Sequence, residues 1–386
     1  MTAGLAAARA AGVEMAARHA DDVDARARFP REAFATLKEQ KLLGLLVPVR
    51  DGGAGASLAD VVSVCHALGQ ACASTAMIYA MHQIQVWCMV RHGADSAWHR
   101  AFLKRLAREQ LLMASATSEA GIGGDVRSSI CAVEEKDGRF AFEKQATVIS
   151  YGADADGIMA TARRTPQSPA SDQVIVVLPK SSYRLEHLQS WDTFGMRGTC
   201  SDGYHLKASG ETAQIVPMPY ADVSAQTMLP TSHLVWSAVW LGIASDAVAR
   251  ARAFIRAEAR RNAGTTPIGA TRLAEAAQTL KTMKSGLRDS LRQYEAALAE
   301  PDQLQSPHFA VAMNNLKIGS SRLVVEVVNQ AMLACGLNGY RNDSPFSLSR
   351  HLRDAHSAQL MVNNDRILAN TARLQLALRE EPELFQ

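Results

Sequence analysis

Two changes of hydrophobic period constrain the fold of this chain more than any single motif does. From residue 1 to about 110, Ala, Leu and Val recur at spacings of three and four, the period of helices buried along one face. From about 113 to 218 they give way to short runs that read as strands: Ala141-Phe142, Ala146-Thr147-Val148-Ile149, Gly157-Ile158-Met159-Ala160 and Gln173-Val174-Ile175-Val176-Val177-Leu178. Turn residues such as Lys136-Asp137-Gly138 separate them. From about 230 the helical period returns in four long stretches, with a break at residues 264–268. The order predicts an α+β chain with an N-terminal α-helical domain over residues 1–112 and a central antiparallel β-domain over 113–218. A C-terminal four-helix bundle is expected over 219–386. Within the first part, the glycine loop Asp51-Gly52-Gly53-Ala54-Gly55 precedes Ser57, which reads as an N-cap.

Composition closes off several alternatives. The 41 Lys and Arg nearly balance the 38 Asp and Glu, so no basic field points to nucleic acid. Cysteines 65, 72, 88, 131, 200 and 335 form no CxxC pair and no Cys/His zinc spacing, and read as reduced core thiols in a cytoplasmic protein without a metal. No apolar run reads as a membrane span. The Ala-rich segment from Met1 to Ala20 is interrupted by Arg9, Glu14, Arg18 and His19, and reads as a first helix rather than a signal peptide.

Three segments carry a resemblance. They are Ser118-Glu119-Ala120-Gly121-Ile122-Gly123-Gly124-Asp125, Trp191-Asp192-Thr193-Phe194-Gly195-Met196-Arg197-Gly198-Thr199, and residues 353–367 beginning Arg353-Asp354-Ala355. Together they resemble the acyl-CoA dehydrogenase family of flavoproteins, whose order of helices, strands and helical bundle covers nearly the whole chain. The resemblance implies FAD, an acyl-CoA thioester substrate, and either an electron-transfer flavoprotein or oxygen as acceptor. It also implies a homo-oligomer, dimer or tetramer, because the family's dinucleotide spans two subunits.

Carried over residue by residue, the resemblance places Thr117 and Ser118 against the isoalloxazine edge, where donors stabilise the charge that accumulates on reduction. Gly123 and Gly124 belong to the glycine loop that follows, which could equally be a plain turn. Ala120 and Gly124 replace the family's Pro and Ser. The segment Ala146-Thr147-Val148-Ile149-Ser150 resembles a strand that carries a flavin-stacking Trp and a hydroxyl. Here Thr147 takes the Trp position and Ser150 could supply the hydroxyl, or either is simply a cross-strand neighbour. Arg260 resembles a pyrophosphate-binding Arg, with Ala263 in place of the family's Phe; it could also be a solvated helix end. Gly336 and Gly339 match glycines that let the backbone approach the diphosphate, although Leu333 replaces a Gln. Asn364 falls at the Thr of the family's Tyr-Glu-Gly-Thr element.

The base is what the chain lacks. The family's Glu falls on Val362, and its alternative position lies near Ser232-His233, so neither place offers a carboxylate. Asp365, one helical turn from Val362, could present a carboxylate to nearly the same volume. His233 and His356 are the other candidates, each with an ordinary packing or surface role as its alternative. Glu326, set among valines, reads as a helix-packing residue. The leading expectation is α,β-dehydrogenation of an acyl-CoA with a displaced base. The alternatives are a flavin-dependent monooxygenase or oxidase on the same fold, and a silent subunit of a hetero-oligomer.

Overall fold

The structure, a computed structural model, describes residues 2–378. The N-terminal helices are α1 (Ala3–Ala25), α2 (Arg31–Glu39), α3 (Leu58–Ala71), α4 (Ala73–His92) and α5 (Ala97–Glu109). Ser57 caps α3 as expected, in a reciprocal box with Asp60. Where α3 crosses α7 (Leu229–Arg261), the backbones approach so closely that a Cβ on Gly69 would lie 2.6 Å from the Val239 carbonyl oxygen. Only glycine fits there.

The central part contains β1 (Met113–Ala116), β2 (Glu134–Lys136), β3 (Arg139–Ala146), β4 (Gly157–Arg163), β5 (Gln173–Pro179), β6 (Tyr183–Gln189) and β7 (Gly203–Glu211). They form two sheets, ordered β1-β4-β5 and β2-β3-β7-β6. The expectation of a wholly antiparallel domain needs correction, because β1 pairs with β4 in parallel. After β1 the chain crosses to the second sheet, builds the β2–β3 hairpin, and only then returns to lay β4 beside β1. Such a long crossover is what a parallel pair requires. A second correction concerns Thr147 to Ser150, expected in a strand. The partner β7 begins at Gly203, so β3 runs out of ladder at Ala146, and the Ile149 amide turns to donate to the Asp202 carbonyl at 2.8 Å.

The C-terminal part starts with α6 (Tyr220–Val223), which passes through a π-turn at Ser224–Met228 into α7. There follow α8 (Ala270–Ala297), α9 (Pro301–Leu304), α10 (Pro307–Cys335), α11 (Leu337–Tyr340), α12 (Ser349–Leu360) and α13 (Asn364–Gln375). Helices α7, α8 and α10 pack together, and α12 and α13 complete the bundle against α10. That fourth member is not one helix. It breaks at residues 361–363, where Val362 adopts the left-handed conformation with φ 47°. The continuous run Tyr220–Arg261 is long and apolar enough to cross a membrane by composition, contrary to expectation, yet 78% of its most apolar window is buried inside the protein. It is the core helix of the bundle. All six cysteines are free thiols, and no group of three or more metal-binding side chains occurs among the described residues.

Candidate active site

On the β-domain side the site is built at the end of β1. Thr117 and Ser118 lie half-buried just past the strand. The Ser118 hydroxyl donates to the Val148 carbonyl at 2.8 Å and accepts from the Val148 amide at 3.2 Å, tying the two chain segments into one edge. Next comes Glu119, which sequence reasoning passed over. Its carboxylate is buried and accepts from the Ser129 hydroxyl at 2.7 Å and the amides of Ile130 and Cys131 at 3.1 and 2.7 Å. Lys144, also buried, lies 3.4 Å away and donates to both oxygens of Thr161. Burial opposes ionisation of Glu119, but Ser129, Lys144 and the two amides outweigh it and hold the carboxyl below its ordinary range. The pair fixes the base of the glycine loop. Within that loop Gly123 and Gly124 have φ of 59° and 82°, and Arg366 on α13 donates to the Gly123 carbonyl.

On the bundle side the Arg353-Asp354 motif is a three-way junction. The Arg353 guanidinium holds Asp24 of α1 and the Phe194 carbonyl, while Asp354 accepts the Met196 amide at 2.7 Å. Gly195 belongs in this turn because a Cβ there would lie 2.1 Å from the Arg353 carbonyl oxygen. Burial pushes Asp354 up to about 6 against the opposing effects of the Met196 amide and Arg350. The Gly123–Arg366 and Phe194–Arg353 contacts bracket the corner between α12 and α13.

That corner is held by Lys317, the second residue sequence reasoning missed. Its ammonium is fully buried on α10 and donates to the carbonyls of Ala358 and Val362 at 3.1 and 2.9 Å and to Asn364 Oδ1 at 2.7 Å. It lies 5.8 Å from the centre of the Trp240 ring, in cation–π range. Burial lowers its pKa to about 8. Asn364 is thereby engaged in the bundle, with its amide nitrogen also donating to Ser321 at 3.0 Å.

The expected bases are scattered. Asp365 does not sit one helical turn from Val362, because the helix breaks between them. It lies exposed in the first turn of α13, its amide bonded to the Asn363 side chain at 2.7 Å. His356 is exposed on α12 with its ring edge toward Phe194. His233 is buried on α7 and donates from Nδ1 to the Met313 carbonyl at 2.9 Å. Burial pulls it down to about 3, against the raising effect of that carbonyl and with Lys317 adding to the fall. It is a neutral imidazole with Nε2 as acceptor.

The remaining positions lie on other elements. Thr147 is exposed past the end of β3, and Ser150 shares a 2.7 Å hydroxyl contact with Ser201. Arg260 is exposed in the last turn of α7. Gly336 follows α10 with φ 56°, and Gly339 packs beneath that helix's last turn, its notional Cβ 2.8 Å from the Cys335 Cβ.

Phe194, Leu360 and Val362 are left 63%, 73% and 43% exposed, apolar surface that a planar ring could cover, and Thr117 and Ser118 are half-buried past the end of β1. The missed lysines had signals in the sequence. Lys144 shares the inward period of Phe140 and Phe142 in β3, and Lys317 shares the inward face of Met313 and Val324 in α10.

Comparison with known proteins agrees with this architecture. The family described as acyl-CoA dehydrogenase, N-terminal domain, matches residues 3–110, and the acyl-CoA dehydrogenase, C-terminal domain, matches residues 234–365. A probable FMNH2-dependent monooxygenase of Pseudomonas putida is 22% identical over 89% of this chain and 87% of its own. A probable acyl-CoA dehydrogenase of Mycobacterium leprae is 24% identical over 93% and 90%. The FMN-bound structure of TdsC from Paenibacillus sp. A11-2, a dibenzothiophene monooxygenase, superposes with a TM-score of 0.82 at 20% identity, covering 98% of this chain and all of that one.

Proposed function

The chain belongs to the acyl-CoA dehydrogenase family, and from that premise we propose that it is a reduced-flavin-dependent monooxygenase acting on a small molecule, not an acyl-CoA dehydrogenase. One observation supports this reading: Val362, onto which the resemblance carries the family's Glu, has its backbone carbonyl bound by the Lys317 ammonium, and His233, near the second expected base position, is a neutral imidazole. Removing an α-proton needs a base beside the substrate that keeps affinity for the proton. A histidine pulled to about 3 is nearly inert in that role. Lys317 adds positive charge in place of a carboxylate. The similarity to the Pseudomonas putida protein over most of both chains points the same way, and we take FMN as the flavin rather than the FAD first expected.

A bound reduced flavin supplies the oxygen-activating chemistry. The protein's part is to bind, orient and exclude water. Thr117 offers a hydroxyl from the edge that Ser118 ties to Val148, and the exposed Phe194, Leu360 and Val362 offer an apolar surface.

Two assays decide between the readings. The purified protein would be supplied with FMNH2 by a flavin reductase, in ¹⁸O₂, with aromatic and sulfur-containing candidate substrates, and products followed by mass. Incorporation of one labelled oxygen is the expected result. Anaerobic bleaching of the oxidised, flavin-loaded protein by acyl-CoAs would overturn the reading in favour of dehydrogenation.

A further inference from the structure

We propose that Lys317 is a positioning residue whose ammonium clamps the corner between α12 and α13, and that flavin binding at the adjoining junction weakens when this clamp is released. The inference rests on the flavin-site reading above for its effect on binding, but its structural half stands on geometry alone. Helix α12 ends at Leu360 and α13 begins at Asn364. Between them Val362 is held at φ 47°, a conformation that costs a β-branched residue energy unless its surroundings impose it. Lys317 imposes it from inside the bundle. One ammonium takes a carbonyl from the last turns of α12, the carbonyl of Val362 itself, and the side chain of the first residue of α13. Three donors meet three acceptors on the three successive pieces of the corner.

The clamp is also titratable. From α7 Lys317 faces the Trp240 ring and His233, from α12 the Ala358 carbonyl, from the corner the Val362 carbonyl, and from α13 Asn364, which Ser321 of its own helix also engages. None of these is a carboxylate. His233 is the other titratable group in the set and stays neutral above about 3, so it contributes no change in the alkaline range. Burial without a counter-ion brings the ammonium to about 8. A neutral amine keeps two donors for three acceptors, so the corner loosens as pH rises through that value.

The test uses the full-length protein labelled with methyl-¹³C methionine. Met361 lies in the corner and packs against the core, and its resonance would be assigned by Met361→Leu. In the unsubstituted protein this resonance should titrate with a midpoint near 8. In Lys317→Met the titration should vanish, and FMN affinity, read by quenching of flavin fluorescence, should fall about tenfold or more at pH 7. Lys317→Arg should restore affinity at least in part and remove the alkaline midpoint, because a guanidinium stays charged. A Met361 resonance with no alkaline inflection in the unsubstituted protein would overturn the clamp, whether or not Lys317→Met folds. An inflection with unchanged FMN affinity in Lys317→Met would overturn its link to binding. Neither readout depends on turnover, so a failed oxygenase assay leaves both interpretable.

Discussion

Two buried lysines in this molecule are satisfied in opposite ways. In the β-domain Lys144 is paired with Glu119 and bonded to Thr161. In the bundle Lys317 has no carboxylate and is held by two carbonyls and an amide oxygen. Both side chains are fully or almost fully buried. The first arrangement is a closed set of charges, in which every ion has a counter-ion and the carboxylate is held below its ordinary range. The second leaves a net charge in low dielectric, so its ammonium sits near neutral pH at about 8. Pairing makes an anchor indifferent to ordinary pH, whereas carbonyl solvation makes one that pH can release.

Breaking the pair should therefore produce the largest effect. Glu119→Ala strips the counter-ion from Lys144 and leaves the amides of Ile130 and Cys131 without an acceptor, the Ser129 hydroxyl keeping only the longer contact to the Cys131 carbonyl at 3.3 Å. A loss of about 3–5 kcal/mol in urea unfolding is expected. Lys317→Met should cost less, about 1–3 kcal/mol, because deleting the lysine removes a desolvated charge along with its bonds. Equal losses would mean that the two lysines are anchored alike, and the contrast would fall.

How much of this was legible in the sequence differs between the fold and the site. The periods of three to four and of two located the helical and strand regions, and the Ser57 cap was readable because capping is local. The parallel pairing of β1 with β4 was not, since it depends on the path the chain takes through the other sheet. Asp365 was misplaced for a similar reason: one left-handed residue, Val362, breaks the helix on which the spacing was counted. The absence of a carboxylate at the two expected positions was plain from the residues alone. What fills those positions was not, because Lys317 lies more than forty residues from Val362 in sequence and meets it only through packing.

Asp354 provides an intermediate case, a buried carboxylate that accepts the Met196 amide where Glu119 accepts from a hydroxyl and two amides. Its sign is opposite. The Asp354 pKa is raised from 3.8 to about 6 in the fold, so its favourable contribution is complete below about 4 and is lost as pH climbs through about 6. Glu119, lowered in the fold, contributes above its ordinary range and loses that contribution on acidification. Asp354→Asn keeps an oxygen for the Met196 amide but removes the titration. Between pH 4 and 7 the unsubstituted protein should lose about 3 kcal/mol relative to this variant, measured from urea midpoints across that range. Parallel pH profiles would show that Asp354 is as well satisfied as Glu119.

The smallest expected effect tests whether burial, rather than the mere number of hydrogen bonds, sets these magnitudes. Ser118 makes two bonds to Val148, as donor and as acceptor, in a half-buried setting and without charge. Water can replace both when the hydroxyl is removed, so Ser118→Ala should cost about 0.5–1.5 kcal/mol by the same denaturation measurement. If the loss instead matches that of Glu119→Ala, the edge formed by Ser118 and Val148 is cooperative with the whole β-domain. The weight then shifts from buried charge to the edge itself, because a half-buried neutral group could take such a loss only by letting the segment at 147–148 detach and carry the chain beyond it into solvent.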